Sequence, residues 1–193
     1  MRIILILLIP IFISSCGSGS SESETEGISP EPVPVVNIDP HQVGTLAREI
    51  VHDNIIRRFI LYVPDSYDRN TPTPLLFNFH GYGSNAEQQM NYGDFRSIAD
   101  NEGFLILHPQ GTRLPSTGST HFNVGGWTRG SNIDDVGFTN YLINVISRLY
   151  NIDELKIFST GMSNGGFMSY ELACKLSARI AGIASVTGRM TPE

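Results

Sequence analysis

Residues 161–165, GMSNG, place a serine hydroxyl between two glycines at the spacing G-x-S-x-G. The apolar run LKIFST precedes this pentapeptide and the helical pattern NGGFMSYELACKLSAR overlaps and follows it, so we expect a tight strand-to-helix turn with Ser163 at its apex. Gly161 and Gly165 nearly touch across such a turn and have no Cβ to collide. A serine raised above the edge of a sheet in this way can act as a nucleophile toward a carbonyl group.

The segment FNFHGYGSN runs from an apolar strand into residues 80–83. Attack on a carbonyl creates an oxyanion, which needs two backbone N–H donors, one directly after the serine and one from a loop after an earlier strand. Asn164 supplies the first donor, and Tyr82 is the best candidate for the second. His80 is expected to hold the loop by hydrogen bonds and not to serve as the catalytic base.

Strand and helix patterns alternate along the chain after an opening hairpin. TLAREIVHD and IRRFILYVP predict two strands joined at HDNI, and later apolar runs predict the strands of a sheet covered on both faces. AEQQMNYGDFRSIADNEG predicts one helix, DDVGFTNYLINVISRLYN predicts another capped by Asp134 with Asp135 as its dipole partner, and residues 109–131 predict a long loop. This order predicts an α/β fold: a three-layer sandwich with a mostly parallel sheet and an N-terminal antiparallel hairpin.

Residues 1–15 are interpreted as a lipoprotein signal peptide. Arg2 precedes the apolar core IILILLIPIFI, which is shorter than the ~20 residues that a membrane-spanning helix needs. The following ISSC resembles a bacterial lipobox, so we expect cleavage before Cys16 and lipidation of that cysteine. An ordinary signal peptide with a chance cysteine is the alternative. Both interpretations predict an extracytoplasmic protein, either secreted or lipid-anchored to the bacterial outer membrane or cell surface.

Composition indicates the domain organisation and argues against several classes of function. Residues 16–40, rich in Ser, Glu, Gly and Pro, predict a disordered tether, and residues 41–193 predict one domain. The net charge of −6 and the scattered arginines argue against nucleic-acid binding. If Cys16 is acylated, Cys174 has no partner and is expected to be a buried, inert thiol. Without HExxH, paired CxxC or a phosphate loop, no metal or organic cofactor is expected.

Four segments of the chain resemble the α/β-hydrolase superfamily, and most closely its secreted esterases of the polyhydroxybutyrate depolymerase and feruloyl esterase group. They are RRFILYVPDSYDRNTPTPLLFNFHGYGSNAEQQM, ADNEGFLILHPQG, GGWTRGSNIDDVGFTNYLI and IFSTGMSNGGFMSYELACKLSARIAGIASVTG. The resemblance implies Ser163 as the nucleophile, Tyr82 and Asn164 as oxyanion donors, and a substrate cleft beside Trp127. Members often carry a cysteine next to that tryptophan; Thr128 stands there in this chain, so a stapling disulfide does not carry over.

The resemblance also implies a catalytic acid and then a histidine after the serine along the chain. The sequence has no histidine after His121, and Glu171 and Glu193 are the only acidic residues after Ser163. We therefore expect the 193 residues to be an incomplete, inactive fragment that lacks the last strands of the domain. His121 and His108 are disfavoured substitutes, because a general base must lie within reach of the serine proton.

The favoured hypothesis is a serine esterase that hydrolyses carboxylic esters of a polysaccharide or polyester, with feruloyl, acetyl and hydroxyalkanoate esters all open. The membrane is a partner only through the N-terminal lipid. One alternative is a peptidase of the same superfamily. Another is a non-catalytic surface lipoprotein that binds glycans through Trp127 and nearby loop aromatics such as Phe122.

Overall fold

One mixed sheet organises the computed structural model, which describes residues 39–190. Its strand order is β1-β2-β4-β3-β7-β8. The pairs β1–β2 and β2–β4 are antiparallel, whereas β4–β3, β3–β7 and β7–β8 are parallel. The strands are β1 (Gly44–His52), β2 (Ile55–Val63), β3 (Thr73–Phe79), β4 (Leu105–Pro109), β7 (Ile152–Met162) and β8 (Gly182–Val186). The predicted α/β fold class is confirmed.

The signal peptide, Cys16 and nearly all of the tether lie outside the described residues, so these predictions stay predictions. Within residues 39–190, no helix has the length and apolar character needed to cross a bilayer.

The hairpin of β1 and β2 follows directly from its turn residues. The register runs from Gly44 opposite Val63 to His52 opposite Ile55, which leaves Asp53 and Asn54 as a two-residue loop. Both loop residues have positive φ, 50° and 58°, as the tight turns that match strand twist require. Asp and Asn tolerate this conformation better than other side chains.

In the described part of the chain, four α-helices flank the sheet: α1 (Ala86–Tyr92), α2 (Arg96–Glu102), α3 (Asp135–Leu149) and α4 (Asn164–Lys175). The α3 prediction is confirmed, including its N-cap, because the Asp134 side chain accepts a hydrogen bond from the Gly137 N–H at 2.7 Å. Leu105 and Leu107 pack in the main core with α3 and α4. Ile106, between them on the strand, points to the opposite face, where α1 and α2 contact the sheet.

The prediction of one continuous helix from residue 86 to Gly103 is wrong. The helix stops at Gly93, whose carbonyl accepts a hydrogen bond from the Asn78 side chain at 3.1 Å. Asp94 then accepts from the Arg96 N–H at 3.0 Å and so favours the start of a second helix. Ile98, an apolar residue of this predicted helix, is 50% exposed.

Residues 109–131 contain more regular structure than the predicted loop. Two short strands, β5 (Thr112–Arg113) and β6 (Thr120–His121), pair as a hairpin, and a 3₁₀ turn spans Gly126–Thr128. Phe122, which one alternative placed on the glycan-binding surface, is buried with its ring 5.0 Å from that of Phe79. That expectation is wrong, because the hairpin folds this residue into the core.

Cys174 is exposed, so the prediction of a buried thiol is also wrong. The sheet-facing stripe of α4 is formed by Met168 and Leu172, both fully buried. Cys174 follows Leu172 by two residues, which is a rotation of roughly 200° around a helix and points the side chain away from the sheet.

Candidate active site

Ser163 lies alone between a strand and a helix, since β7 ends at Met162 and α4 begins at Asn164. Its backbone angles, φ 51° and ψ −114°, lie in a region that side chains rarely adopt and that costs about 1–3 kcal/mol. The Ser163 N–H donates to the Val186 carbonyl at 2.8 Å and to the Thr187 hydroxyl at 3.2 Å. The predicted turn is therefore present and Ser163 is half-buried at its apex, while its role as a nucleophile stays a prediction.

Two glycines make this turn possible. A Cβ placed on Gly161 would lie 2.5 Å from the Gly165 carbonyl group, and one on Gly165 would lie 2.2 Å from the Phe79 carbonyl oxygen. Both contacts are with backbone that cannot move aside. The helix α4 consequently packs directly against the end of β3, and no side chain other than hydrogen fits at either position.

The segment 80–83 adjoins the serine. A Cβ built on Gly81 would lie 3.7 Å from the Ser163 Cβ, so the two backbones are in contact distance at this point. Gly83 donates its N–H to the Thr120 carbonyl at 2.8 Å, which fixes the loop against β6. Within residues 39–190, no acceptor takes the Tyr82 N–H. The Asn164 N–H belongs to the first turn of α4, where amides have no partner within the helix.

The Asn164 side chain has a structural task that sequence reasoning missed. It is fully buried; its Oδ1 accepts from the Phe122 N–H at 2.7 Å, and its Nδ2 donates to the Phe122 carbonyl at 3.0 Å. These two bonds imitate a strand pairing across 42 positions of sequence. No local pattern could have revealed them, because each partner is an ordinary backbone group.

His80 holds the loop as predicted from its position. Its Nε2 accepts from the Gly111 N–H at 2.9 Å, which leaves Nδ1 to carry the proton and donate to the Gly81 carbonyl at 2.7 Å. Burial lowers the pKa of His80 to about 4, so the ring is neutral at pH 7. With both nitrogens engaged, His80 has no free nitrogen for the Ser163 proton.

No hydrogen bond joins any histidine of the described chain to Ser163. His121 is buried, and its Nδ1 lies 3.0 Å from the Thr112 carbonyl oxygen. Because a carbonyl oxygen only accepts hydrogen bonds, the proton of this ring is on Nδ1. His108 is buried in β4, and burial lowers its pKa to about 4.

Glu171 forms an ion pair with Lys175 at 2.6 Å along α4. In residues 39–190 no cluster of three His, Cys, Asp or Glu side chains could hold a metal ion.

Trp127 stands beside the loop that carries Tyr82. The two rings meet edge to face with centroids 5.3 Å apart, and Phe167 of α4 lies 6.2 Å from the indole on another side. The indole is 47% exposed, so it offers an apolar face to solvent next to the serine turn. Thr128 fixes this loop, because its hydroxyl donates to the Gly125 carbonyl at 2.8 Å and accepts from the Val124 N–H at 3.0 Å.

A buried ion pair supports the base of the same loop. The Arg57 guanidinium donates to Asp135 at 2.6 Å, and both side chains are 1% exposed. Asp135 also accepts from the Asn123 N–H at 2.7 Å, and Arg57 lies 3.9 Å above the Phe138 ring. Burial raises the pKa of Asp135, while the neighbouring Arg57 opposes that shift. Asp135 was predicted only as a partner of the helix dipole, and its ion pair with Arg57 of β2 was not predicted.

Comparisons with known proteins give relatives for this fold and site, although no protein-family profile matches the chain. Over 132 residues the chain is 33% identical to feruloyl esterase C of Emericella nidulans, covering 68% of this chain and 46% of that protein. Over 137 residues it is 30% identical to feruloyl esterase D of Neurospora crassa, covering 68% and 45%. An S-formylglutathione hydrolase structure from Agrobacterium tumefaciens superposes with a TM-score of 0.58 at 17% identity, covering 78% of this chain and 60% of that one.

The chain has the α/β-hydrolase fold. An acetyl xylan esterase structure from Aspergillus awamori gives a similar superposition, with a TM-score of 0.54 at 19% identity, covering 68% of this chain and 48% of that one. The predicted resemblance to feruloyl esterases is confirmed, and the likeness to polyhydroxybutyrate depolymerases stays a prediction. The chain spans about half the length of the feruloyl esterases it matches.

Proposed function

We propose that this α/β hydrolase is a serine esterase acting on carboxylic esters carried by a polysaccharide, with feruloyl and acetyl esters as the favoured acyl groups. The observation that carries the proposal is Ser163 at the apex of a strained strand-to-helix turn, with Gly81 of the adjoining loop in contact distance. The names of the relatives, feruloyl esterases, favour an ester over the peptide bond of the peptidase alternative. A hydroxyalkanoate ester is the remaining candidate substrate.

The proposed reaction is acyl transfer to the serine followed by hydrolysis. The Ser163 oxygen attacks the ester carbonyl, and the oxyanion accepts hydrogen bonds from the Asn164 and Tyr82 amides. One such donor typically contributes about 100- to 1000-fold in rate. The alkoxide leaves as an alcohol, and water then releases the acid from the acyl-enzyme. A general base takes the Ser163 proton and returns it to the leaving alkoxide; none of the histidines of residues 39–190 contacts that hydroxyl.

The chain of 193 residues on its own is expected to turn over esters very slowly for the same reason. Loss of the triad partners costs on the order of a millionfold in serine hydrolases, with about 1000-fold over water left from the oxyanion donors and binding. The proposed substrate cleft runs beside Trp127, whose exposed face suits an aromatic or sugar ring. We place the protein outside the cytoplasm through the N-terminal segment, with Cys16 as the site of lipidation.

A second candidate function is glycan binding without catalysis. The absence of a hydrogen bond between Ser163 and any histidine of residues 39–190 favours it, as does the exposed indole of Trp127. Phe122 cannot contribute to such a surface, because its side chain is buried.

Covalent labelling separates the two functions. The full gene product is treated with a fluorophosphonate and assayed in parallel with p-nitrophenyl acetate and methyl ferulate. We expect labelling of the wild type at Ser163 and loss of labelling and hydrolysis in Ser163→Ala. Ser177→Ala, at an exposed position after α4, is the matched control and should leave both unchanged. Equal hydrolysis by the wild type and Ser163→Ala would refute the esterase and leave glycan binding.

A further inference from the structure

A polar groove lies beside the loop that follows Tyr82. It has a volume of about 570 Å³ and is lined by residues 56–58, 83–85, 110–113 and 117–120. We call these residues the arginine groove. They come from β2, from the loop after Tyr82, and from the β5–β6 hairpin with its preceding residues. No part of the proposed reaction uses this groove.

Tyr82 lies between the groove and the proposed substrate cleft. The Tyr82 ring contacts Trp127 on the cleft side, while its hydroxyl is hydrogen-bonded to the Thr117 hydroxyl of the groove. Thr120 joins the same two segments, because its hydroxyl donates to the Ser84 carbonyl at 2.5 Å and its carbonyl accepts from the Gly83 N–H at 2.8 Å. A polymer whose ester group reaches Ser163 can therefore continue over Tyr82 into the groove.

The charge of the groove is opposite to that of the protein. The whole chain carries a net charge of −6, yet the lining contains three arginines and neither Asp nor Glu. Arg57 is neutralised by Asp135, and Arg58 pairs with Glu49 at 2.5 Å. Arg113 is exposed, its side chain donates only to the Gly118 carbonyl at 2.7 Å, and no carboxylate of the described residues pairs with it. One uncompensated cation thus faces the groove.

The remaining lining is suited to hydroxyl-rich ligands. Side chains of Ser, Thr, Asn and Gln provide both donors and acceptors around the cavity. A neighbouring cavity that shares Arg58 contains Glu49 and Glu87, so it lacks the cationic character of the groove.

We propose that the arginine groove binds a uronic acid residue of an acidic polysaccharide, with its carboxylate on Arg113. The guanidinium fork matches a carboxylate with two parallel hydrogen bonds, and the surrounding hydroxyls match those of the sugar ring. This inference rests on the proposed function, because it assigns the polymer that carries the ester. It makes the acidic sugar a recognition element separate from the ester group itself.

Calorimetric titration tests the proposal without any need for catalysis. The full gene product carrying Ser163→Ala is titrated at low salt and pH 7 with a galacturonic acid trimer and, in parallel, with xylotriose. We expect the acidic trimer to bind at least about tenfold more tightly than the neutral one, as one charge-assisted pair implies. Inorganic phosphate serves as a competitor, and it should displace the acidic trimer only weakly.

Substitutions locate the binding. Arg113→Gln should weaken binding of the acidic trimer about tenfold and leave xylotriose unchanged, while Arg113→Lys should give an intermediate loss because it keeps the charge without the fork. Ser119→Asp, which adds a negative charge to the lining, should abolish the preference. Arg148→Gln is the matched control on the exposed last turn of α3. Far-UV circular dichroism checks that each variant is folded.

Three results would overturn the proposal: equal affinity for both trimers, an unchanged affinity in Arg113→Gln, or phosphate competing as well as the acidic sugar. The last would make the groove a simple anion site. These outcomes are independent of the esterase assay, since acidic-sugar binding in the Ser163→Ala protein persists even where the full gene product hydrolyses no ester. A protein that cleaves esters but fails this titration keeps its proposed function and loses only the groove.

Discussion

Removing the Asn164 side chain should destabilise the fold and release the loop that carries Trp127. Asn164→Ala deletes two hydrogen bonds to Phe122 and leaves a buried N–H and a buried carbonyl without partners. Each unsatisfied group costs about 1–3 kcal/mol, so the free energy of unfolding should fall by about 2–6 kcal/mol. With a urea dependence of about 2 kcal/mol per molar, the unfolding midpoint should fall by about 1–3 M.

In Asn164→Asp the free energy of unfolding should depend on pH. The carboxylate keeps an acceptor for the Phe122 N–H but sets a negative charge against the Phe122 carbonyl at a fully buried position. Burial and this contact raise the carboxyl pKa in the folded state above its unfolded value. The protonated form therefore favours folding, and the stability of the variant should be retained at low pH and lost as the pH rises through the folded pKa.

Urea unfolding followed by circular dichroism and by fluorescence measures both effects. Trp127 is the only tryptophan, so its emission reports directly on the loop. Asn101→Ala, an exposed position in α2, is the control and should change stability by less than about 0.5 kcal/mol. A loss below that value in Asn164→Ala, with unchanged Trp127 emission, would refute the idea that this amide joins the serine helix to the loop.

Three further perturbations follow from the packing of the site. Gly165→Ala should prevent cooperative thermal unfolding because its Cβ would lie 2.2 Å from the Phe79 carbonyl oxygen; Gly182→Ala, where a Cβ would lie 3.5 Å from the nearest atom, is the tolerated control. Arg57→Met should cost about 3–5 kcal/mol in urea unfolding by leaving the buried Asp135 unpaired, and adding Asp135→Asn should recover part of that loss. His80 has a folded pKa of about 4 against 6.5 unfolded, so its contribution should lower the stability by about 3 kcal/mol as the pH drops from 6.5 to 4. In urea unfolding measured across this range, His80→Gln should reduce the pH slope and leave the similar contribution of His108.

Features encoded by neighbouring residues could be predicted from the sequence. The Asp53–Asn54 turn, the Asp134 cap of α3 and the strand-to-helix turn at Ser163 all depend on residues within about five positions of one another. The alternation of strands and helices then determines the α/β class, because few topologies satisfy it. The centre of the candidate site, a serine and the amide after it at a tight turn, is therefore predictable from local residue types and spacing.

Contacts between distant segments could not be predicted in the same way. The Asn164 side chain meets Phe122 across 42 positions, and Arg57 meets Asp135 across 78. The break between α1 and α2 depends on Asn78, a residue of β3 that binds the Gly93 carbonyl. In each case a polar group finds a partner that only the folded chain brings near, so residue type and spacing carry no signal of it.

The strained serine ties the proposed chemistry to β8. Ser163 keeps an unfavourable φ of 51° because its N–H donates hydrogen bonds to the Val186 carbonyl and the Thr187 hydroxyl. Strain of this kind persists only where surrounding structure over-determines it. The last described strand is therefore a support of the turn as well as the edge of the sheet in residues 39–190. Any change that moves β8 away from β7 would let the backbone at Ser163 relax, and the hydroxyl would leave its position beside Gly81 before the core itself unfolds.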